Sequence, residues 1–384
     1  MRTLFTERDF SERRKALAHG LEAAGIDWVY VSPGSDYRYL TGIAARRSER
    51  PQALLLSRAG DEALLCPAFE ADYIRSVVAI DRLITWEEHA NPFVKAAEHL
   101  GGDGGALRIG MAPGCSFDEY AGLDSAIPGA RIVEAKSIIR GMRAVKSERE
   151  IALMREVTRL TDETLEEAIR EDFVAGITES QFSRSIVDRG LGRGLQSANA
   201  TVLSGPNSSF PHGGTGDRTM DEGEVILVDL VATLHGYHAD ITRTVVFGKP
   251  VSTAGDVYSV VEEAARRGAE SISPGELAEE PDGVARRIID EAGYGKHFIH
   301  RLGHGLGLDV HEDPYLVSGN DGRSAPAYSH VDVHGGMLAE NMVLTVEPGI
   351  YLEGEFGIRI EDDALVTADG CELLTRNVDR PFIL

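Results

Sequence analysis

Val225-Ile-Leu-Val-Asp-Leu-Val-Ala-Thr-Leu-His-Gly-Tyr-His-Ala-Asp-Ile-Thr-Arg-Thr-Val-Val-Phe247 consists of two β-rich runs separated by Leu234-His235-Gly236. It reads as an antiparallel hairpin. Asp229 and Asp240 lie symmetrically about that break. The spacing predicts that they stand opposite one another, with Cβ atoms roughly 4.5–5.5 Å apart. Two carboxylates that close repel, and one stays ionised beside the other only if a cation lies between them.

A second segment repeats the device. Val346-Glu-Pro-Gly-Ile-Tyr-Leu-Glu-Gly-Glu-Phe-Gly-Ile-Arg-Ile-Glu361 sets Glu347 and Glu361 symmetrically about Gly354. An isolated Asp or Glu is usually a solvated surface group, and the chain has 62 acidic residues. These acids differ in context: Asp229 follows Val225-Ile-Leu-Val228, Glu347 follows Met342-Val-Leu-Thr-Val346, and Glu361 follows Gly357-Ile-Arg-Ile360. Acids set into apolar strands need partners, and a metal is a good one. With His304 from the glycine-rich loop Gly303-His-Gly305, four carboxylates and one imidazole form a candidate site for two divalent cations.

Outward from these hairpins, the chain alternates predicted helices (147–170, 178–190, 255–270, 281–292) with the acid-bearing strands, which indicates an α+β domain. The first of these helices opens on a capping box, Ser147 with Glu150, followed by Ile151, Met154, Val157 and Leu160 at helical spacing. Upstream, an amphipathic helix around Phe10–Ala24, a strand at Trp28–Val31, a loop at Ser32–Ser35, and strands near Ala53–Leu56, Ala63–Leu65 and Arg131–Val133 suggest a smaller α/β domain. The boundary falls near Ser137–Lys146, giving domains of 1–140 and 141–384. The tract Gly101-Gly-Asp-Gly-Gly105 has neither P-loop nor dinucleotide spacing and reads as a surface turn.

Composition narrows the partners. The 384-residue chain carries a net charge of −23 and no basic patch, which argues against nucleic acid and anionic membranes. The N-terminal residues lack a signal-peptide core, and no run approaches the length of a membrane helix, so a cytoplasmic protein is expected. Cys66, Cys115 and Cys371 are too few and too dispersed for a disulfide framework or a zinc-thiolate site. Six lysines against 33 arginines, with the excess of acids, suggest a halophilic source and salt-dependent stability.

Taken together, these motifs resemble the pita-bread metallopeptidases, in the branch of proline dipeptidase, aminopeptidase P and creatinase. The resemblance runs through Tyr39-Leu-Thr-Gly42, Val145-Lys-Ser147, Ser204-Gly-Pro-Asn207, Pro211-His212, Gly236-Tyr237, Thr242-Arg-Thr244, Gly303-His-Gly305, Val346-Glu-Pro-Gly349 and Gly357-Ile-Arg-Ile-Glu361. It implies a pita-bread catalytic domain preceded by a creatinase-type N-terminal domain. It also implies hydrolysis of the peptide bond preceding proline by an enzyme with two divalent metals (Mn, Co, Fe or Zn, with Mn or Co favoured). By position, Asp229 would bind one metal, His304 and Glu347 the other, and Asp240 and Glu361 would bridge them. Glu347 would also exchange protons, His212 and His311 would line the substrate site, and Arg359 would face the substrate's carboxylate end or the bridging acid. A small peptide substrate and a homodimer are implied. The alternatives are an Xaa-Pro aminopeptidase, a small-molecule hydrolase or lyase, and a non-catalytic binding protein.

Two departures from the family pattern stand out. Val231 occupies a position where family members often have glycine. The stretch Ser318–Gly336 is longer than the pattern and turn-rich, and it reads as a loop at the active-site mouth, with His330 and His334 as solvent-exposed residues.

Overall fold

A computed structural model describes residues 4–80, 82–101, 107–174, 176–249, 253–318 and 336–376. The loop histidines His330 and His334 fall outside the described residues. The chain divides into two compact units, Met1–Arg143 and Ala144–Leu384.

The first unit runs α1 (Glu7–Ala24), β1 (Trp28–Val31), α2 (Ser35–Thr41), β2 (Ala53–Ser57), β3 (Glu62–Pro67), α3 (Ala71–Val77), β4 (Leu83–Trp86), α4 (Pro92–Leu100), β5 (Arg108–Met111), α5 (Phe117–Ala126), β6 (Arg131–Glu134) and α6 (Lys136–Ala144). Its six strands form one mixed sheet in the order β4-β3-β2-β1-β5-β6. Tyr30, Leu55, Leu65 and Ile109 of the sheet are buried with Ala96 of α4 and Leu123 of α5. Helices α2 to α6 escaped the sequence reading. The Tyr39-Leu-Thr-Gly42 motif ends α2, where Gly42 caps the helix at φ 75°. The segment read as a bare connection, from Ser137 onward, is helical in α6. All five are short, none longer than the 10 residues of α5, and two or three turns of apolar spacing do not distinguish helix from loop.

The second unit continues with α7 (Glu148–Glu171), α8 (Glu179–Gly192), β7 (Ser197–Ser204), β8 (Val225–Leu234), β9 (Tyr237–Val246), α9 (Ala254–Glu270), α10 (Glu279–Glu291), β10 (Gly303–Gly305), β11 (Glu312–Leu316), β12 (Val343–Val346), β13 (Gly349–Leu352), β14 (Phe356–Arg359), β15 (Asp362–Thr367) and β16 (Gly370–Leu373). Strands β7-β8-β9 form one sheet, β11-β10-β12-β15-β16 a second, and β13-β14 a separate hairpin. This is the expected α+β architecture. Ser147 caps α7 through Glu150, and the other oxygen of Glu150 accepts from the Tyr237 hydroxyl at 2.6 Å. The capping box therefore also seats the helix on β9. One core packs α7 and α8 on the three-stranded sheet. A second joins α9 and α10 to β12, β14 and β15. The acid-bearing strands thus have their ends fixed by two apolar cores.

Candidate metal centre

The first hairpin closes through His235 and Gly236, with φ 50° and 89°. This two-residue turn has the positive φ values of the type that matches strand twist. It sets Asp229 opposite Thr242, and Val231 opposite Asp240. The expectation that Asp229 and Asp240 face one another is corrected here: they are diagonal neighbours on one face, because the turn lies one residue beyond the centre of symmetry assumed from the sequence. The diagonal separation, about 7–8 Å between backbones, leaves room for an ion and its ligands. The second hairpin keeps its expected centre: Gly349 pairs with Arg359 and Leu352 with Phe356, so Glu347 and Glu361 flank its open end.

Each acid is held by its own scaffold. The Glu361 amide donates to the Thr242 carbonyl at 3.1 Å. The Thr242 hydroxyl donates to Glu361 Oε2 at 2.6 Å, Arg243 Nη1 to the Glu361 carbonyl at 2.6 Å, and the Thr244 hydroxyl to the Arg359 carbonyl at 2.8 Å. All three side chains of Thr242-Arg-Thr244 are therefore spent on the segment that ends in Glu361. Arg243 is tied in turn to Asp162 and Asp362, at 3.2 Å each. The amide of Glu347 donates to the Leu302 carbonyl at 2.7 Å.

His304 sits on the short interior strand β10, between glycines that the packing requires. A Cβ at Gly303 would lie 1.9 Å from the Thr345 carbonyl oxygen, and one at Gly305 2.3 Å from that of Asp313. The His304 Nδ1 lies 3.0 Å from the Gly305 carbonyl oxygen. Donation there leaves Nε2 as the free lone pair. Nε2 is 3.3 Å from Glu347 Oε1 and 3.9 Å from Asp240 Oδ2. Asp240, His304 and Glu361 are all buried, with one ligand atom from each lying within 4.8 Å of the others.

The electrostatics indicate what the cluster would accept. Burial, and then the neighbouring acids, push the carboxyls of Asp240 and Glu361 well above the ordinary range. Asp229 is raised by burial as well, against the pull of Arg359. For Glu347 burial is the largest influence and acts upward, but the cationic forms of His304 and His300 together with Arg359 outweigh it and hold the carboxyl below its ordinary range. Oxygen donors forced toward protonation by one another, around one oriented imidazole, fit a divalent-cation site: a cation removes the repulsion and takes the place of the protons.

Arg359 is 4% exposed and is spent on protein atoms. It donates to Asp229 Oδ2 at 2.6 Å, the Thr242 hydroxyl at 3.1 Å, the Tyr351 hydroxyl at 3.0 Å and the Pro211 carbonyl at 3.3 Å. The acid it holds is Asp229, which the resemblance assigns to one metal, and not a bridging acid. His212 is exposed, in the turn after the 3-10 helix Gly205–Ser209. It is near enough for its charge to act on Asp229 and on His311. His311 stacks edge-on against His304, with ring centroids 4.4 Å apart. Burial, together with the charges of His304 and Arg301, pushes its pKa down to about 4.

Three contributors were not singled out in the sequence. Tyr351 receives Arg359 and lies 2.9 Å from His300 Nε2, and Asp363 accepts the Asp240 amide at 3.4 Å and the Thr158 hydroxyl at 2.7 Å. Tyr351 and Asp363 lie within or next to the motifs that carry the acids, and the position of His300 four residues before His304 is the signal that could have found it.

Residues 152–368 match the family model "Metallopeptidase family M24", and residues 13–145 match "Creatinase/Prolidase N-terminal domain". The chain is 35% identical to the probable dipeptidase PepE of Mycobacterium tuberculosis, over 93% of this chain and 92% of that protein. Among solved structures it resembles dipeptidase PepE from Mycobacterium ulcerans (TM-score 0.90, 29% identity, 99% of each chain). It also resembles the prolidase from Thermococcus sibiricus (TM-score 0.87, 29% identity, 98% of this chain and 99% of that one). The X-Pro aminopeptidase from Thermotoga maritima gives a TM-score of 0.80 at 29% identity, covering 97% and 99%. With its buried carboxylate-imidazole cluster and both domains matched in order, the chain belongs to metallopeptidase family M24.

Proposed function

We propose that this peptidase is an Xaa-Pro dipeptidase, releasing proline from short peptides. One observation carries the reading: buried Asp240, His304 and Glu361 converge in a chain similar along nearly its whole length to proteins named dipeptidase and prolidase. In this reading Asp229 would hold one divalent ion, His304 and Glu347 the other, and Asp240 and Glu361 both. Manganese or cobalt suits this oxygen-rich set. Two such ions would supply a water acidified to near neutral pH and a Lewis acid for the scissile carbonyl.

The protein's residues then have separable tasks. Glu347, held anionic at neutral pH, is available to accept a proton at its carboxylate. His212 and His311 approach from the rim and donate hydrogen bonds to the carbonyl oxygen of the bond to be cut. With a pKa of about 4, His311 is neutral at pH 7 and donates without adding charge. Arg359 keeps Asp229 in place. A bond preceding proline has no N–H, so its recognition rests on its carbonyl and the ring. We place the enzyme in the cytoplasm as a homodimer.

The test compares proline release from an Xaa-Pro dipeptide with cleavage of the matching Xaa-Pro-Xaa tripeptide by Mn²⁺-loaded protein. Dipeptide turnover is expected. Preference for the tripeptide moves the assignment to an aminopeptidase, and metal-loaded protein inert toward both would remove the proline-specific reading.

A further inference from the structure

The ion pair between Lys146 and Glu312 lies outside the ligand cluster, yet it touches the loop that presents His311. Lys146 is 3% exposed and Glu312 7%, and Nζ stands 3.5 Å from Oε2. Lys146 also donates to the Ala144 carbonyl at 3.1 Å, and its amide donates to the Asn341 carbonyl at 2.9 Å. Next to it, Val145 bridges to Met342. The lysine is thus fastened at the entry to β12, the strand that leads to Glu347.

Glu312 begins β11 and pairs with Gly305 of β10. Its Oε1 accepts the Asp309 amide at 2.9 Å. A Cβ at Gly307 would stand 2.8 Å from both of its carboxylate oxygens, so Gly307 leaves the space this carboxylate fills. Gly307 is fixed in turn through its carbonyl, which accepts the His238 amide at 2.8 Å. The Glu312 carboxylate therefore braces the inside of the loop from Gly307 to His311, and Lys146 anchors the brace.

A buried ion pair is a poor stabiliser, because desolvating both charges offsets most of their attraction, and an apolar pair of similar volume often packs as well. Its retention here needs a geometric reason. We propose that Glu312, anchored by Lys146, is a positioning residue that fixes the His311 ring against His304 and so sets where a substrate carbonyl meets it. The proposal rests on the peptidase reading, in which His311 contacts substrate.

The experiment uses the full chain with Glu312→Gln, Lys146→Met and the double substitution. Glutamine keeps the acceptor for Asp309, and the double variant removes both buried charges, so it folds even where a single variant does not. Three readouts are taken: bound Mn²⁺ per chain, kcat and KM on an Xaa-Pro dipeptide, and the order of the His311 ring by ¹³C relaxation in Zn²⁺-loaded protein. The ring signal is assigned by its loss in His311→Ala.

The expected result for the double variant is wild-type thermal stability and metal content with a more mobile His311 ring. Its kcat falls by about a hundredfold, as for a reacting group displaced by an ångström, while KM stays within about threefold. A double variant that recovers wild-type kcat along with its stability overturns the proposal, since the pair then only supports the fold. An unchanged His311 ring signal overturns it as well. Because the relaxation readout needs no turnover, failure of the dipeptidase reading would leave wild-type protein inert and still reveal whether the ring is held.

Discussion

Arg359 Nη2 lies 2.6 Å from Asp229 Oδ2, so the arginine two residues before one acid of the cluster holds another acid, on a different sheet. The pair converts a hairpin end into a clamp. Burial opposes the charged form of Arg359, but Tyr351, Asp229, Glu361 and Glu347 around it hold its pKa well above its ordinary value.

Arg359→Met leaves Asp229 without its cationic partner. Removing one member of a buried pair costs about 3–5 kcal/mol, and loss of the residue that orients a ligand lowers metal affinity by about 10–100-fold. Urea unfolding and metal titration measure the two effects. Arg359→Lys is expected to rescue neither fully, since one ammonium cannot replace the several directions in which the guanidinium donates.

Glu361→Gln separates repulsion from ligation. With one buried acid gone, the metal-free variant is expected to melt above metal-free wild type near neutral pH, because repulsion from Asp240, Glu347 and Asp229 is relieved. Metal retention falls at the same time. A metal-free variant that melts below wild type would contradict the electrostatic account of the cluster.

The pH dependence has opposite signs with and without metal. Asp240 and Glu361 have folded pKa values raised above their unfolded ones. The native state then binds more protons than the unfolded chain, and metal-free stability falls as pH rises above the ordinary carboxylate range. Metal displaces those protons, so its affinity rises over the same range. Melting curves of chelated and Mn²⁺-loaded protein between about pH 5 and about pH 8 should therefore diverge as pH rises.

Salt should stabilise the protein. A net charge of −23 repels over distances that shrink from about 10 Å at 0.1 M to about 3 Å at 1 M salt. Salt also weakens exposed pairs such as Arg266 with Glu263 and Glu270, but such pairs contribute only about 0–1 kcal/mol each. The melting temperature is expected to rise with KCl, and a fall would mean that the surface pairs outweigh the net repulsion.

The sequence by itself determined much of the secondary structure. Ser147 with Glu150 marked the start of α7, and the runs around Asp229 and Asp240 declared β8 and β9, because capping and strand alternation are local. It also picked out Asp240, His304 and Glu361, which converge at the candidate site, since charge inside an apolar strand is visible without a fold. The register of Asp229 and Asp240 was set one step beyond that reach, by the positive φ of His235 and Gly236. The occupation of Arg359 by Asp229, the contact of Tyr351 with His300 and the brace of Glu312 on Lys146 were decided only in three dimensions. Each joins residues from separate elements, and their hydrogen bonds depend on sheet register and close backbone approach, which no local pattern encodes.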